Sequence, residues 1–84
     1  MNEKTIRALV EAGAVKKVHI IASGAAIHVD IVTQNDVITA TTLKGAIKVW
    51  STIDASARWV KNLGIGRVQL VMDKWLPEQK GLKL

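Results

Sequence analysis

The fold of this chain depends on residues Val15 to Trp50, VKKVHIIASGAAIHVDIVTQNDVITATTLKGAIKVW. Three turn signals, Ser23-Gly24, Asn35-Asp36 and Lys44-Gly45, separate four short runs that are rich in β-branched residues. Two-residue loops are the commonest hairpin connections, and Gly, Asn or Asp supply the positive φ angles that they require. The pattern therefore predicts four antiparallel strands in a meander.

The three predicted loops divide the side chains of the meander between two faces. Ile20 then lies opposite Ile27, and Ile31 lies opposite Ala40; successive side chains along a strand point to opposite faces. One predicted face is apolar and comprises Val18, Ile20, Ile27, Val29, Ile31, Ile38, Ala40, Ile47 and Val49. The other comprises mainly Lys17, His19, His28, Asp30, Thr39, Thr41, Lys48 and Trp50. A register shift of one residue at any loop would mix the two sets.

Helices are predicted before and after the meander. Glu3–Ala12 follows Asn2, a favourable N-cap, and Thr52–Leu63 follows Ser51 in a sequence like a capping box. Each helix has an apolar stripe and is followed by a glycine.

The alternation over Arg67–Asp73 predicts a fifth strand, Val68–Met72, which would complete a β-α-β crossover with Ile47–Trp50. The predicted fold class is α+β, in the order α-β-β-β-β-α-β. It has an antiparallel four-strand meander, two helices on one face and a fifth C-terminal strand.

Length and composition predict a single domain over residues 1–84, with residues 74–84 as an extended tail. The 84 residues are 49% hydrophobic and include no cysteine, which excludes disulfides and thiolate metal sites. The N-terminus lacks the apolar run of a signal peptide, and no uncharged apolar stretch is long enough to span a bilayer. We therefore expect a cytoplasmic protein without a membrane partner.

The net charge of +5 favours an acidic partner such as nucleic acid. Several single-strand binding modules place lysines and an aromatic ring on an open sheet face, where lysines contact phosphates and bases stack. The predicted nucleic-acid-binding residues here are Lys17, His19, His28, Lys48, Trp50 and Arg67. A single tryptophan is few for such a platform, and cover by the tail or by a second subunit explains Trp50 slightly better.

No catalytic motif can be assembled, so the chain is predicted not to be an enzyme and to carry no cofactor. His19 and His28 are cross-strand neighbours in the predicted register, close enough to share a metal. A site would still need a third ligand. The one nearby carboxylate, Asp30, lies opposite Lys17, and an ion pair explains it. The prediction is therefore no metal site and a polar pair on the sheet.

An alternative function is a protein-interaction module. A meander leaves edge strands unpaired, and the C-terminal segment is too apolar for a simply solvated tail. The predicted interface residues are Trp59, Trp75, Leu76 and Leu82. A homo-oligomer is the simplest form of this hypothesis. A double-stranded RNA binder, which shares the helix–strands–helix order, ranks last because the second helix opens with Asp54 and no lysine cluster.

A resemblance adds a biological context. WSTIDASARWV at 50–60, LGIG at 63–66, WLPEQKGL at 75–82 and KTIRAL at 4–9 resemble the small ParC-type partition-associated proteins of conjugative plasmids and integrative elements. These motifs are structural and bring no catalytic residues. The resemblance implies an accessory part in plasmid partition or maintenance, with partition proteins as partners.

Overall fold

The computed structural model describes residues 1–76, which form a four-strand sheet with two helices packed on one face. The elements in chain order are α1 (Glu3–Glu11), β1 (Lys17–Gly24), β2 (Ala26–Val32), β3 (Val37–Thr39), α2 (Ile53–Asn62) and β4 (Gln69–Trp75). The α+β class and the two helices are thus confirmed. The strand arrangement differs from the prediction.

Both helices begin at a side-chain cap and end before a glycine. The Oδ1 atom of Asn2 accepts a hydrogen bond from the Thr5 amide at 3.1 Å, as the sequence predicted for α1. For α2 the cap is Thr52, one residue later than the predicted Ser51; its Oγ1 accepts from the Ala55 amide at 3.1 Å. Gly13 and Gly64, just beyond the two helices, have φ angles of 71° and 94°.

The sheet is mixed, with the strand order β3-β2-β1-β4. β1, β2 and β3 are antiparallel neighbours, while β4 lies parallel to β1 at the other side of the hairpin. The prediction of a four-strand antiparallel meander with a fifth strand is therefore wrong. The C-terminal strand is present, but its neighbour is β1 and not the segment Ile47–Trp50.

The first two hairpins keep the predicted faces in a shifted register. Gly24-Ala25 forms the first loop, with a φ of 61° at Gly24, so Ile20 pairs with Val29 in place of Ile27. The second loop spans residues 33–36, so Ile31 pairs with Ile38 in place of Ala40. Each register changes by two residues, an even number, and every side chain therefore stays on its predicted face.

The third hairpin reverses the predicted faces. Backbone hydrogen bonds donated and accepted by Thr42 close a three-residue loop of Leu43, Lys44 and Gly45. Thr41 forms an isolated antiparallel β-bridge with Ile47. The predicted loop had two residues, so the observed pairing is shifted by one residue from the predicted pairing. Ile47 and Val49 are consequently 58% and 56% exposed, although both were predicted to lie on the apolar face. The segment Ile47–Trp50 forms isolated bridges and is not a strand.

The core lies between the sheet and the helices. Within residues 1–76 its fully buried apolar side chains come from α1, β1, β2, α2 and two adjoining residues: Ile6, Val18, Ile20, Ala22, Ile27, Val29, Ile31, Ala40, Val60 and Leu63. The alternate side chains of β1 and β2, such as His19 and His28, point to the face that the helices leave open. Val29 and Ile31 thus face inward, as predicted.

β4 is longer than the predicted fifth strand. It includes Lys74 and Trp75, which the sequence assigned to the tail, and the Leu76 amide donates to the Gly24 carbonyl at 2.8 Å. Trp75 packs against the core. The rest of the predicted tail, 77–84, lies outside the described residues.

Candidate functional site

The six residues predicted to bind nucleic acid lie at three separate places. His19 and His28 lie in the middle of the open sheet face. Lys17 and Arg67 lie together at one end of the sheet, where they line a small cleft with Lys16. Lys48 and Trp50 lie on the helix side. The predicted single basic face is therefore wrong, because the one-residue slip in the third hairpin moved its lysine and its tryptophan to the other side.

The open face is organised around a carboxylate. Asp30 accepts a hydrogen bond from Thr39 Oγ1 at 2.8 Å, and its Oδ1 lies 3.7 Å from His28 Nε2. His19 lies directly opposite Asp30, where the prediction had placed Lys17. Lys17 pairs with Val32, and His28 pairs with Ile21 in place of His19. Asp30 is thus bonded to Thr39 and lies near His28, and a central carboxylate repels phosphate.

His19 is poorly placed to contact a ligand. Its Nε2 atom is buried and has no hydrogen-bond partner within the part of the chain that the structure describes. Such an atom costs stability, and it is not presented to a base or a phosphate approaching from solvent. We therefore remove His19 from the set of candidate binding residues.

Trp50 and Lys48 belong to an aromatic cluster beside α2. The Trp50 backbone forms two hydrogen bonds with Ile27 of β2, and its ring lies 5.0 Å from that of Trp59, measured between centroids. The Lys48 ammonium lies 5.3 Å from the Trp50 ring and 5.9 Å from the Trp59 ring, in reach of cation–π attraction to both. Trp50 is thus covered by residues of its own chain and is not a free stacking platform.

Glu3 ties this aromatic cluster to the first turn of α1. Its carboxylate accepts hydrogen bonds from Arg7 and from the Trp59 indole, both at 3.1 Å. These two bonds, with the Arg7 and Lys48 charges, lower the pKa of Glu3 below its ordinary value, although slight burial acts in the opposite direction. The negative charge of Glu3 is therefore engaged by its neighbours.

A basic groove opens beside the aromatic cluster, between α1 and the third hairpin. It encloses about 880 Å³. Its lining residues are Glu3, Lys4, Arg7, Thr41, Thr42, Leu43, Lys44 and Lys48. Four of these residues carry positive charge and one carries negative charge, and the negative one is already paired. This arrangement favours a polyanion, whose phosphates could meet Lys4, Lys44 and Lys48 together.

Most of the basic groove was missed by the sequence analysis. Of its cations, only Lys48 was predicted to bind. Lys4 and Arg7 belong to the predicted helix Glu3–Ala12, to which no binding role was assigned. Lys44 was assigned to a turn. Since these residues meet only through the tertiary fold, no local pattern in the sequence indicates that they share a groove.

The predicted interface residues also fall in different settings. Trp59 contacts Trp50 and Glu3, so its main neighbours are in its own chain. Trp75 packs on the core, and Leu76 is about half-exposed at the end of β4. Leu82 lies outside the described residues.

None of the helices within residues 1–76 is long and apolar enough to cross a membrane. Within that range, His, Cys, Asp and Glu side chains nowhere gather in a group of three that could hold a metal ion.

Comparison with protein-family models, curated proteins and solved structures finds no match for this chain. The resemblance to ParC-type partition-associated proteins therefore stays a prediction.

Proposed function

We propose that this chain is a non-enzymatic accessory protein of plasmid partition or maintenance that binds nucleic-acid phosphates in the basic groove. The observation that carries the binding proposal is the convergence of Lys4, Lys44 and Lys48 on one groove whose carboxylate is already engaged. The plasmid context comes from the sequence resemblance alone.

The proposed contact is electrostatic. Trp50 and Trp59 are occupied by each other and by Lys48, so base stacking contributes little and sequence preference is weak. Three lysine–phosphate contacts predict a log–log salt slope of roughly −2.7 for duplex DNA and roughly −2.1 for single strands. Binding should therefore be readily measurable only at low salt.

The test is a fluorescence-anisotropy titration of labelled single- and double-stranded DNA with the full chain. The variant Lys4→Glu/Lys44→Glu changes two groove residues that lie on exposed positions. The control Lys16→Glu/Lys17→Glu changes two exposed residues of the cleft near Arg67. Each pair of substitutions removes four charge units, from +5 to +1, so the effect of net charge is the same in both.

We expect the groove variant to lose at least about tenfold in affinity and to have a salt slope smaller by about 2, because two phosphate contacts are lost. The control should lose much less. An equal loss in both variants would assign the binding to net charge alone. No binding of either DNA by the wild-type chain at low salt would refute the proposal.

A second candidate function is a protein-interaction module, either a homodimer or an adaptor to partition proteins. The specific observation in its favour is that β4 lies at the edge of the sheet with half-exposed apolar side chains. This function does not exclude the first, since the basic groove and β4 involve different residues.

A further inference from the structure

The two edges of the sheet differ in how well they are protected from pairing with another chain. At the β3 edge, the Thr41 amide donates to the Met1 carbonyl at 2.7 Å, and the Met1 ammonium donates to the Thr39 carbonyl at 3.3 Å. β3 itself is only three residues long. Short strands and covering segments are devices that prevent pairing with another chain. The β3 edge is thus protected.

The β4 edge has no such protection within residues 1–76. β4 is seven residues long and pairs with β1 on one side, while its other side has no neighbouring strand in the sheet order. Its outer backbone groups are therefore available for a further strand.

An apolar stripe, defined as Val68, Leu70 and Met72, starts at the residue before β4 and continues along this edge. They are 41%, 40% and 47% exposed, which is unusual for three large apolar side chains at alternate positions. Leu70 pairs with buried Ile20, so the stripe lies on the helix side of the sheet. The pairing with β1 is regular from Gln69 to Val71, and the register shifts between Val71 and Lys74.

The edge is self-complementary about Leu70. In an antiparallel pair with a two-fold axis at this residue, Leu70 meets Leu70 of a second copy, and Val68 meets Met72 on each side. Arg67 lies two residues before β4, and Arg67 and Asp73 are three residues before and after the axis. A pair extended to these residues places each Arg67 opposite an Asp73 of the other copy. Opposite charges then meet at both ends of an apolar centre.

We propose that two copies of this chain pair through β4, antiparallel and centred on Leu70, to form one continuous eight-strand sheet. The occupant of the edge is a second copy because this axis places apolar side chains opposite each other on the helix side and opposite charges at both ends. The paired segment is short, so the dimer is weak, and it associates in the range from about 10 µM to about 1 mM.

The first test is sedimentation equilibrium of the full chain across that concentration range. We expect reversible monomer–dimer behaviour. A single charge reversal, Arg67→Glu, places two carboxylates opposite each other and should weaken association at least about tenfold. The combined variant Arg67→Glu/Asp73→Arg restores opposite charges and should recover most of the wild-type association. A monomer at every concentration, or a combined variant no better than Arg67→Glu, would overturn the proposal.

The second test uses the absence of cysteine in the chain. The variant Leu70→Cys should form an intermolecular disulfide quickly, because opposed residues in an antiparallel pair have Cα separations that suit a disulfide. The control Leu43→Cys changes an equally hydrophobic and more exposed residue on the third hairpin. Val68→Cys alone should cross-link slowly, since its partner is Met72. Equal cross-linking rates at positions 70 and 43 would refute the two-fold axis at Leu70.

Discussion

The two faces of the sheet are made by the same strands but contribute differently to the molecule. On the covered face, β1 and β2 present aliphatic side chains that are almost completely buried by α1 and α2. On the open face they present a polar network in which Thr39 and His28 surround Asp30. An exposed sheet face is therefore not in itself a binding surface. The cations of the proposed binding groove lie on the other side of the sheet, beside the helices.

The largest expected difference between the two faces is in stability. Ile27→Ala removes a side chain that is 1% exposed and should lower the free energy of unfolding by about 2–5 kcal/mol. Ile21→Ala changes the same residue type on the open face, where the side chain is only partly covered, and should cost about 1 kcal/mol or less. Urea unfolding at one protein concentration measures both. A loss at Ile21 as large as that at Ile27 would mean that another layer covers the open face in solution.

A smaller effect tests whether the polar network stabilises the open face. Thr39→Val keeps the side-chain shape but removes the 2.8 Å hydrogen bond to Asp30. We expect a loss of about 1 kcal/mol in the free energy of unfolding. Asp30→Asn keeps an acceptor oxygen at the same position and should cost less. Equal stability of Thr39→Val and Asp30→Asn would mean that Asp30 faces bulk water and forms no stable hydrogen bond with Thr39.

The next effect is smaller again and distinguishes Lys48, on the helix side, from Lys17, on the open face. Lys48→Met removes the charge above the two indoles but keeps the aliphatic stem, and it should cost about 0.5–1 kcal/mol. It should also shift the tryptophan fluorescence, since the charge lies close to both rings. Lys17→Met should change neither quantity. Identical spectra for the wild-type and Lys48→Met chains would contradict the position of the ammonium.

The smallest expected effect concerns pH. The pKa of Glu3 is lowered in the folded chain, chiefly by the hydrogen bond from Arg7, below an ordinary value of 4.5. The ionised form is thus favoured by folding. Its contribution is fully present above that ordinary value and is lost as the pH falls through the lowered pKa. Because the group is half-exposed, the contribution should be well under about 1 kcal/mol.

The variant Glu3→Gln provides the control for this prediction. Its stability should fall less steeply below pH 4.5 than that of the wild-type chain, and an NMR titration of the Glu3 carboxyl group would give the pKa directly. A carboxyl group that titrates above its ordinary value would contradict the contacts with Arg7 and Trp59.

The sequence predicted the two faces correctly wherever the observed pairing differs from the predicted pairing by an even number of residues. Moving the first loop by one residue, or lengthening the second from two residues to four, changes which residues pair but not which side they face. The third loop has three residues, and Gly45, with a φ of 92°, is its last. A Lys-Gly pair is compatible with a two-residue loop and with a three-residue loop, so the sequence could not distinguish them.

The same ambiguity decided how much of the candidate site could be predicted. Lys48 was predicted to lie on the open face, and this placement was wrong because its position depends on the third loop. The neighbour of β4 was equally undetermined, since β1 and the segment ending at Trp50 each offered a free edge to the last strand. Lys4 and Lys44, forty residues apart in sequence, meet only in the folded chain.

The anchoring of the third hairpin suggests how its contacts could diversify. Ala40 is hydrogen-bonded to Val29, and Trp50 is hydrogen-bonded to Ile27. Val29 and Ile27 are two residues apart on the same face of β2. The chain from Ala40 to Trp50 therefore leaves the sheet and returns to it. Closing a longer loop between fixed ends costs little extra free energy. Insertions near Lys44 should thus leave the core intact while they reshape the wall of the groove. A library that varies the length and sequence of this hairpin would yield folded proteins that differ in the wall of the groove, and the scaffold is therefore evolvable at this point.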